Sequence, residues 1–219
     1  MDLTRLALFA LAAVVVGWFA LGIVWNIRRG NAVLKWMQRG LPRLGDKTTL
    51  RWLGSSVVEL GIAKARSPFR RVEIVLVLEP RDVPWFWVFA RLNRRRDMLI
   101  IRGQLAAAPQ YEFDLLAPGS WSERLALAQA RSQAWPTEPL ADLTFAAPAA
   151  TRELSRPLAQ PVLAAARQVQ PVVWRLSARR EFPQLELHTP LPNPARADPA
   201  QFFEAVCGLA RLLSAPRES

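Results

Sequence analysis

Four aromatic side chains and four arginines fall within the twelve positions from Trp85 to Arg96, which read WFWVFARLNRRR. Tryptophan and phenylalanine rings suit the boundary between hydrocarbon and headgroups, while a guanidinium presents a fixed fork of donors to phosphate. Near an anionic leaflet each basic side chain contributes about 1 kcal/mol, and adjacent charges compete for the same lipids. The chemistry expected here is adhesion to a membrane surface. Trp85, Phe86, Trp87 and Phe89 insert, and Arg91, Arg94, Arg95 and Arg96 meet phosphate headgroups or an acidic partner. The apolar run is contiguous, without a period of two or 3.6 residues, which sets it apart from an ordinary core strand or helix. Docking against another membrane protein would use the same side chains.

Little else in the chain suits covalent or metal chemistry. One histidine, His188, and one cysteine, Cys207, in 219 residues exclude an intramolecular disulfide and a histidine-built metal centre. His188 lies out of phase with Leu185 and Leu187, as an exposed ring would, and Cys207 beside Val206 reads as a small buried hydrophobe. Glu112 and Asp114 share one face of a strand-like segment, and Glu79 and Asp82 border a turn at Pro80. A solvated strand face and a turn account for these pairs without acid–base catalysis. Gly40 to Thr48 (GLPRLGDKT) approaches a phosphate-binding loop, but Asp46 intervenes before Lys47 and a strand-like segment follows where a helix is needed. No catalytic, cofactor-binding or metal-binding residue is assigned, and no cofactor is expected.

The position of the aromatic and arginine segment is set upstream. Leu6 to Ile27 is an uncharged, almost wholly apolar run of 22 residues, and as a helix it just exceeds the ~30 Å hydrocarbon core. It is longer than the apolar part of a secretory signal and lacks a small-residue cleavage site after it. Arg28, Arg29, Lys35, Arg39 and Arg43 follow the run, whereas only Arg5, opposed by Asp2, precedes it. The positive-inside rule then places the amino terminus outside and the long remainder in the cytoplasm, with Trp25 at the interface. Gly17 and Gly22 are five apart and make no small-residue dimerisation face.

The net charge of +11 is concentrated beside this run. Residues 28–102 hold 17 Lys and Arg against 6 Asp and Glu, and residues 103–219 hold 11 against 11. A basic patch directly after a membrane span points to anionic lipid, and no nucleic-acid-binding motif accompanies it. In Asn31 to Arg39, Val33, Leu34, Trp36 and Met37 alternate with Lys35 and Arg39, so a helical continuation lying at the headgroups is expected.

The remaining residues are long enough to bury a core. Thr48–Leu53, Val57–Ala65, Arg70–Glu79, Met98–Leu105 and Tyr111–Leu115 read as strands, with Arg70–Glu79 apolar enough to be central. Their short connections favour an antiparallel arrangement. Ser120 and Glu123 form a capping box for a helix to Arg131, and Asp198 with Pro199 opens a final helix whose stripe is Phe202, Val206, Leu209 and Leu213. Gln133–Ala141 reads as a connection, Leu143–Phe145 as a short strand, and Thr151–Arg167 as a helix broken at Pro157 or Pro161. Val172–Ala178 and Leu185–Leu187 form a hairpin, with Val172, Trp174 and Leu176 inward and Arg175 and Ser177 outward.

The expected organisation is a transmembrane anchor over residues 1–30, a juxtamembrane interfacial segment over 31–47, and a cytoplasmic α+β domain over 48–219 with a mostly antiparallel sheet. The anchor is flanked by Trp25, Arg28, Arg29, Lys35, Trp36 and Arg39. The function expected is that of a single-pass, non-enzymatic interaction or scaffold protein held against the anionic inner leaflet by the Trp85–Arg96 segment. The alternatives are an accessory subunit of a larger membrane complex and a membrane-bound enzyme that uses neither histidine nor thiol.

Overall fold

The computed structural model describes residues 2–214, Leu125 by its backbone alone, so the last five residues of the expected 48–219 domain lie outside the description. The apolar run is part of one continuous helix, α1 (Leu3–Gln38), whose 36 residues span about 54 Å. It is long and apolar enough to cross a membrane. Every side chain from Asp2 to Val16 is exposed, whereas Gly22, Asn26, Gly30, Val33, Leu34, Trp36 and Met37 form a buried stripe farther on.

That stripe corrects the reading of Asn31–Arg39 as an interfacial segment. Trp36 donates from Nε1 to the Ala197 carbonyl at 2.7 Å and packs edge-on against Phe202 at 5.2 Å. Together with Val33, Leu34 and Met37 it belongs to the main core. Only the opposite side of the segment, with Lys35 and Arg39, is exposed. Apolar positions among basic ones fit a core-facing amphipathic helix as well as a headgroup-facing one, and here the core claims them.

The described residues then form nine strands: β1 (Thr48–Leu53), β2 (Val57–Ile62), β3 (Phe69–Val77), β4 (Met98–Leu105), β5 (Phe113–Leu116), β6 (Thr137–Leu140), β7 (Leu143–Ala146), β8 (Arg175–Ala178) and β9 (Leu185–Pro190). They make one sheet in the order β1-β2-β3-β4-β9-β8-β5-β7-β6, with every pairing antiparallel. The helices are α2 (Pro84–Leu92), α3 (Trp121–Ser132), α4 (Arg152–Val169) and α5 (Pro199–Ser214). The architecture is α+β, as the sequence implies.

One sheet face carries Val58, Leu60, Ile74, Leu76, Leu99, Ile101, Leu187 and Leu176 into the main core, which α4, α5 and the end of α1 complete. On the other face Trp121 of α3 and Trp174 pack on Val77, Met98 and Ile100. The second face is therefore covered as well, and this overturns the expected outward, solvated placement of Ser177 and Asp114, which are buried, and of Arg175, which is partly buried.

Ser120 caps α3 by accepting from the Glu123 N–H at 3.2 Å, and Asp198 caps α5 by accepting from Ala200 N–H at 2.6 Å. Two further expectations are corrected. Thr137–Leu140 is an edge strand, where Pro139 leaves no interior ladder bond missing. Helix α4 runs unbroken through Pro157 and Pro161, which sit four residues apart on its exposed side. Its buried side, with Ala159, Val162, Leu163 and Ala166, holds the helix against the core despite the missing bonds.

Candidate functional site

β3 ends, β4 begins and β9 ends at the same end of the sheet, since Val77 pairs with Met98 and Met98 with Pro190. The chain leaves β3 through Glu79, Pro80, Arg81 and Asp82 and enters α2 with Pro84 at its first position, where the missing N–H breaks no helical bond. The segment expected to be aperiodic is thus a helix. Its outer side carries Trp85, Phe86, Val88, Phe89 and Leu92, each between 49% and 74% exposed, while Ala90 is buried against the domain. Both sides of this helix are apolar, and that erased the periodic signal.

The eight expected contact residues do not behave alike. Trp85, Phe86 and Phe89 point outward, but Trp87 turns inward and donates from Nε1 to Glu79 Oε2 at 2.7 Å. Arg91 stacks on Trp87 at 4.9 Å from the ring centre and reaches the same carboxylate at 3.3 Å. Arg95 stacks on Trp121 at 5.2 Å. Arg94 and Arg96 make no ion pair among the described residues, and Arg96 donates only to the carbonyls of Arg91 and Arg95. The four rings therefore do not share one outward face: Trp85, Phe86 and Phe89 are exposed, whereas the Trp87 indole is engaged by an internal carboxylate.

Helix α1 passes directly over this loop. Trp18 donates from Nε1 to the Arg81 carbonyl at 3.0 Å, and its ring lies 6.1 Å from that of Trp87. One turn on, Gly22 lets the helix backbone approach Arg81 and Asp82 so closely that a Cβ would collide with their main chain. After another turn Asn26, fully buried, donates to the Glu79 carbonyl at 3.0 Å and accepts from Arg81 at 3.1 Å. Arg29 then meets Asp97 at 2.5 Å. Asn26 is the polar exception in the apolar run, and Gly22, Asn26 and Gly30 at four-residue spacing are the signal that this helix docks on its own domain.

Asp97 organises the charges. It accepts two parallel bonds from Arg81 at 3.0 Å each and one from the Glu79 N–H at 2.8 Å. Burial alone would push its carboxyl up, but these bonds and the charges of Arg81 and Arg29 outweigh it and hold the acid below the usual range.

Between α1, α2 and the sheet end lies a cavity of about 790 Å³. Trp18, Trp25, Trp87 and Trp174 wall it, and Arg29, Arg81, Arg91 and Arg96 contribute charge against Glu79 and Asp97. It is an amphipathic pocket with net positive charge. Glu79, Arg81 and Asp97 in its lining, and the fully buried Asn26 bonded to Arg81 behind them, were not singled out as a site by the sequence, where Glu79 reads as part of a turn.

The other chemistry-bearing residues have structural partners. Asp114 meets Arg179 at 2.6 Å, and the Glu112 carboxylate accepts from the Arg180 N–H at 3.0 Å, so these two acids serve separate contacts. His188, expected exposed, is buried and bonded through Nε2 to Glu186 at 2.9 Å. Gly40 and Gly45 of the loop-like stretch are packed against Pro199 and Lys64. Cys207 is buried, and burial together with the Glu204 charge pushes its thiol up, away from reactivity. Among the described residues no three His, Cys, Asp or Glu side chains gather as a metal site.

Fold and site together define an α+β protein whose long apolar helix is built into a nine-stranded antiparallel domain beside a cationic, tryptophan-walled pocket. No known protein family and no curated protein matches the chain.

Proposed function

We propose that this chain is a single-pass membrane protein whose cytoplasmic domain is a non-enzymatic interaction module held against the anionic inner leaflet by α2. The observation that supports this reading is the placement of α2 beside Trp18, nine residues before the apolar run ends at Ile27. That offset is about 13 Å along the helix axis. A bilayer that takes in the apolar run therefore also takes in the outward rings of α2. Trp85, Phe86 and Phe89 then lie among lipid, Arg94 and Arg96 at phosphate depth, and Arg28 and Arg29 on the cytoplasmic side.

The fold also dictates the form of the test. Removing residues 1–30 would strip Gly22, Asn26, Arg29 and Gly30 from the domain, so the full chain is reconstituted in vesicles containing phosphatidylglycerol. Nitroxide labels at Phe86→Cys and Phe89→Cys, in a Cys207→Ala background, are compared with one at Phe182→Cys, which sits at the opposite end of the sheet. Labels on α2 should collide with lipid-dissolved oxygen and be shielded from a water-soluble nickel chelate, with the reverse at position 182. Water-exposed labels on α2 would reject the docking. Sidedness is read from the same position 182 cysteine, which should react with an impermeant maleimide only after cells are opened.

A further inference from the structure

We propose that the cavity between α1, α2 and the sheet end binds one anionic phospholipid, its phosphate on Arg29, Arg91 and Arg96 and its tails along Trp18, Leu21 and Trp25. The inference rests on the membrane-docked reading above, which gives the cavity its access to lipid.

Charge is the first argument. Asp97 is engaged by Arg81 and Arg29, and Glu79 by Trp87 and Arg91, so both acids are committed. Arg96 lines the same cavity with no acid of its own among the described residues. Four arginines against two carboxylates leave two positive charges beside tryptophan walls, and a phosphodiester with several acceptor oxygens supplies the missing anion.

Shape is the second. Arg29 and Trp18 are eleven residues apart on α1, about 16 Å along its axis. Along α1 the lining runs from Trp18 through Leu21 and Trp25 to Arg29, an apolar stretch that ends at a cation, and this sequence runs in the direction of a lipid standing parallel to the helix. A free phosphate would leave the aromatic end wet, and a neutral amphiphile would leave the guanidinium end unpaired. A second cavity of about 680 Å³ shares Leu21, Trp25 and Arg29 with the first, so a two-tailed lipid has room on either side of that stripe. A zwitterionic lipid brings its own cation toward the arginines and is disfavoured by like-charge repulsion.

The test is native mass spectrometry of the full chain in a non-ionic detergent, titrated with phosphatidylglycerol, phosphatidylcholine or inorganic phosphate. One phosphatidylglycerol per chain should be retained saturably, at least tenfold more tightly than phosphatidylcholine. Arg96→Ala removes a cavity charge without breaking an ion pair, and Leu21→Trp fills the apolar end without changing charge. Each should weaken retention at least tenfold while leaving the circular dichroism spectrum and melting temperature in place. Equal retention of the two lipids, or retention untouched by both variants, overturns the proposal. Phosphate bound as tightly as phosphatidylglycerol also overturns it and assigns the arginines to a soluble anion. Failure here with α2 labels still in lipid rejects the cavity ligand alone, whereas water-exposed labels reject the docking itself.

Discussion

Arg29, two residues past the apolar run, and Asp97, the residue before β4, lie 2.5 Å apart, pinning the long helix to the sheet through an acid that is 6% exposed and a base that is 47% exposed. The asymmetry gives opposite weights to the two partners. Asp97→Ala leaves Arg81, itself 17% exposed, without its bidentate acid, and loss of one partner from a buried pair costs about 3–5 kcal/mol. Arg29→Ala removes a half-exposed charge while Asp97 keeps Arg81, so its cost stays near about 1 kcal/mol or below. Thermal unfolding of the two variants in mild detergent should separate them clearly, and equal losses would mean that Asp97 is not the hub of this network.

Gly22 and Gly17 offer a matched comparison on one helix. A Cβ at Gly22 meets the Arg81 and Asp82 main chain, whereas one at Gly17 has nothing within 4 Å. Gly22→Ala should destabilise the chain by about 1–3 kcal/mol, since backbone cannot yield as a side chain does. Gly17→Ala should be neutral or favour the helix. A melting temperature unchanged by Gly22→Ala would show that α1 does not hold this close approach to the loop.

Substitutions on the outer side of α2 should affect membrane contact and little else. Phe86 and Phe89 are 57% and 60% exposed, so Phe86→Ser and Phe89→Ser should each shift stability by no more than about 0.5 kcal/mol. Trp87→Phe is the contrasting change, because it leaves the buried Glu79 carboxylate without its indole donor. It should cost more than both serine variants together. A large loss from the serine variants would place those rings in the core.

The helix caps and single strands were legible because each rests on local chemistry: the Ser120 and Asp198 caps, and Met98–Leu105 as a strand with those bounds. The order β4-β9-β8-β5 was not, because it pairs segments far apart in the chain. What escaped was decided by tertiary cover. Of the inward residues expected in Val172–Ala178 only Leu176 enters the main core, since Val172 is exposed and Trp174 packs on the opposite face. Nothing local says that α3 lies over that face, so Ser177 and His188 read as exposed. In the apolar run the docking face and the exposed face have nearly the same composition, and only Gly22 and Asn26 betray the difference. In α2 the outer rings hid the helical period. The site was half legible for this reason: its arginines and rings stood out, while the buried acids that choose among them looked like a turn.

Glu186 should give the domain a recognisable acid sensitivity. Burial pushes this carboxyl up, but the hydrogen bond and charge of His188 and the charges of Arg175 and Arg102 outweigh burial and bring it from 4.5 to about 2. The protonated form is thus disfavoured more in the folded chain than in the unfolded one. The stabilisation is complete above about 4.5 and drains away as pH falls toward about 2. Asp97, lowered in the same direction, adds to the loss. Glu186→Gln removes the charge at every pH and strands Arg102 and Arg175, so its melting temperature should start below that of the parent at neutral pH and fall less steeply between pH 4.5 and 2. Melting curves of parent and variant across that window decide the matter: parallel slopes would mean that Glu186 carries no more of the acid response than any exposed carboxylate.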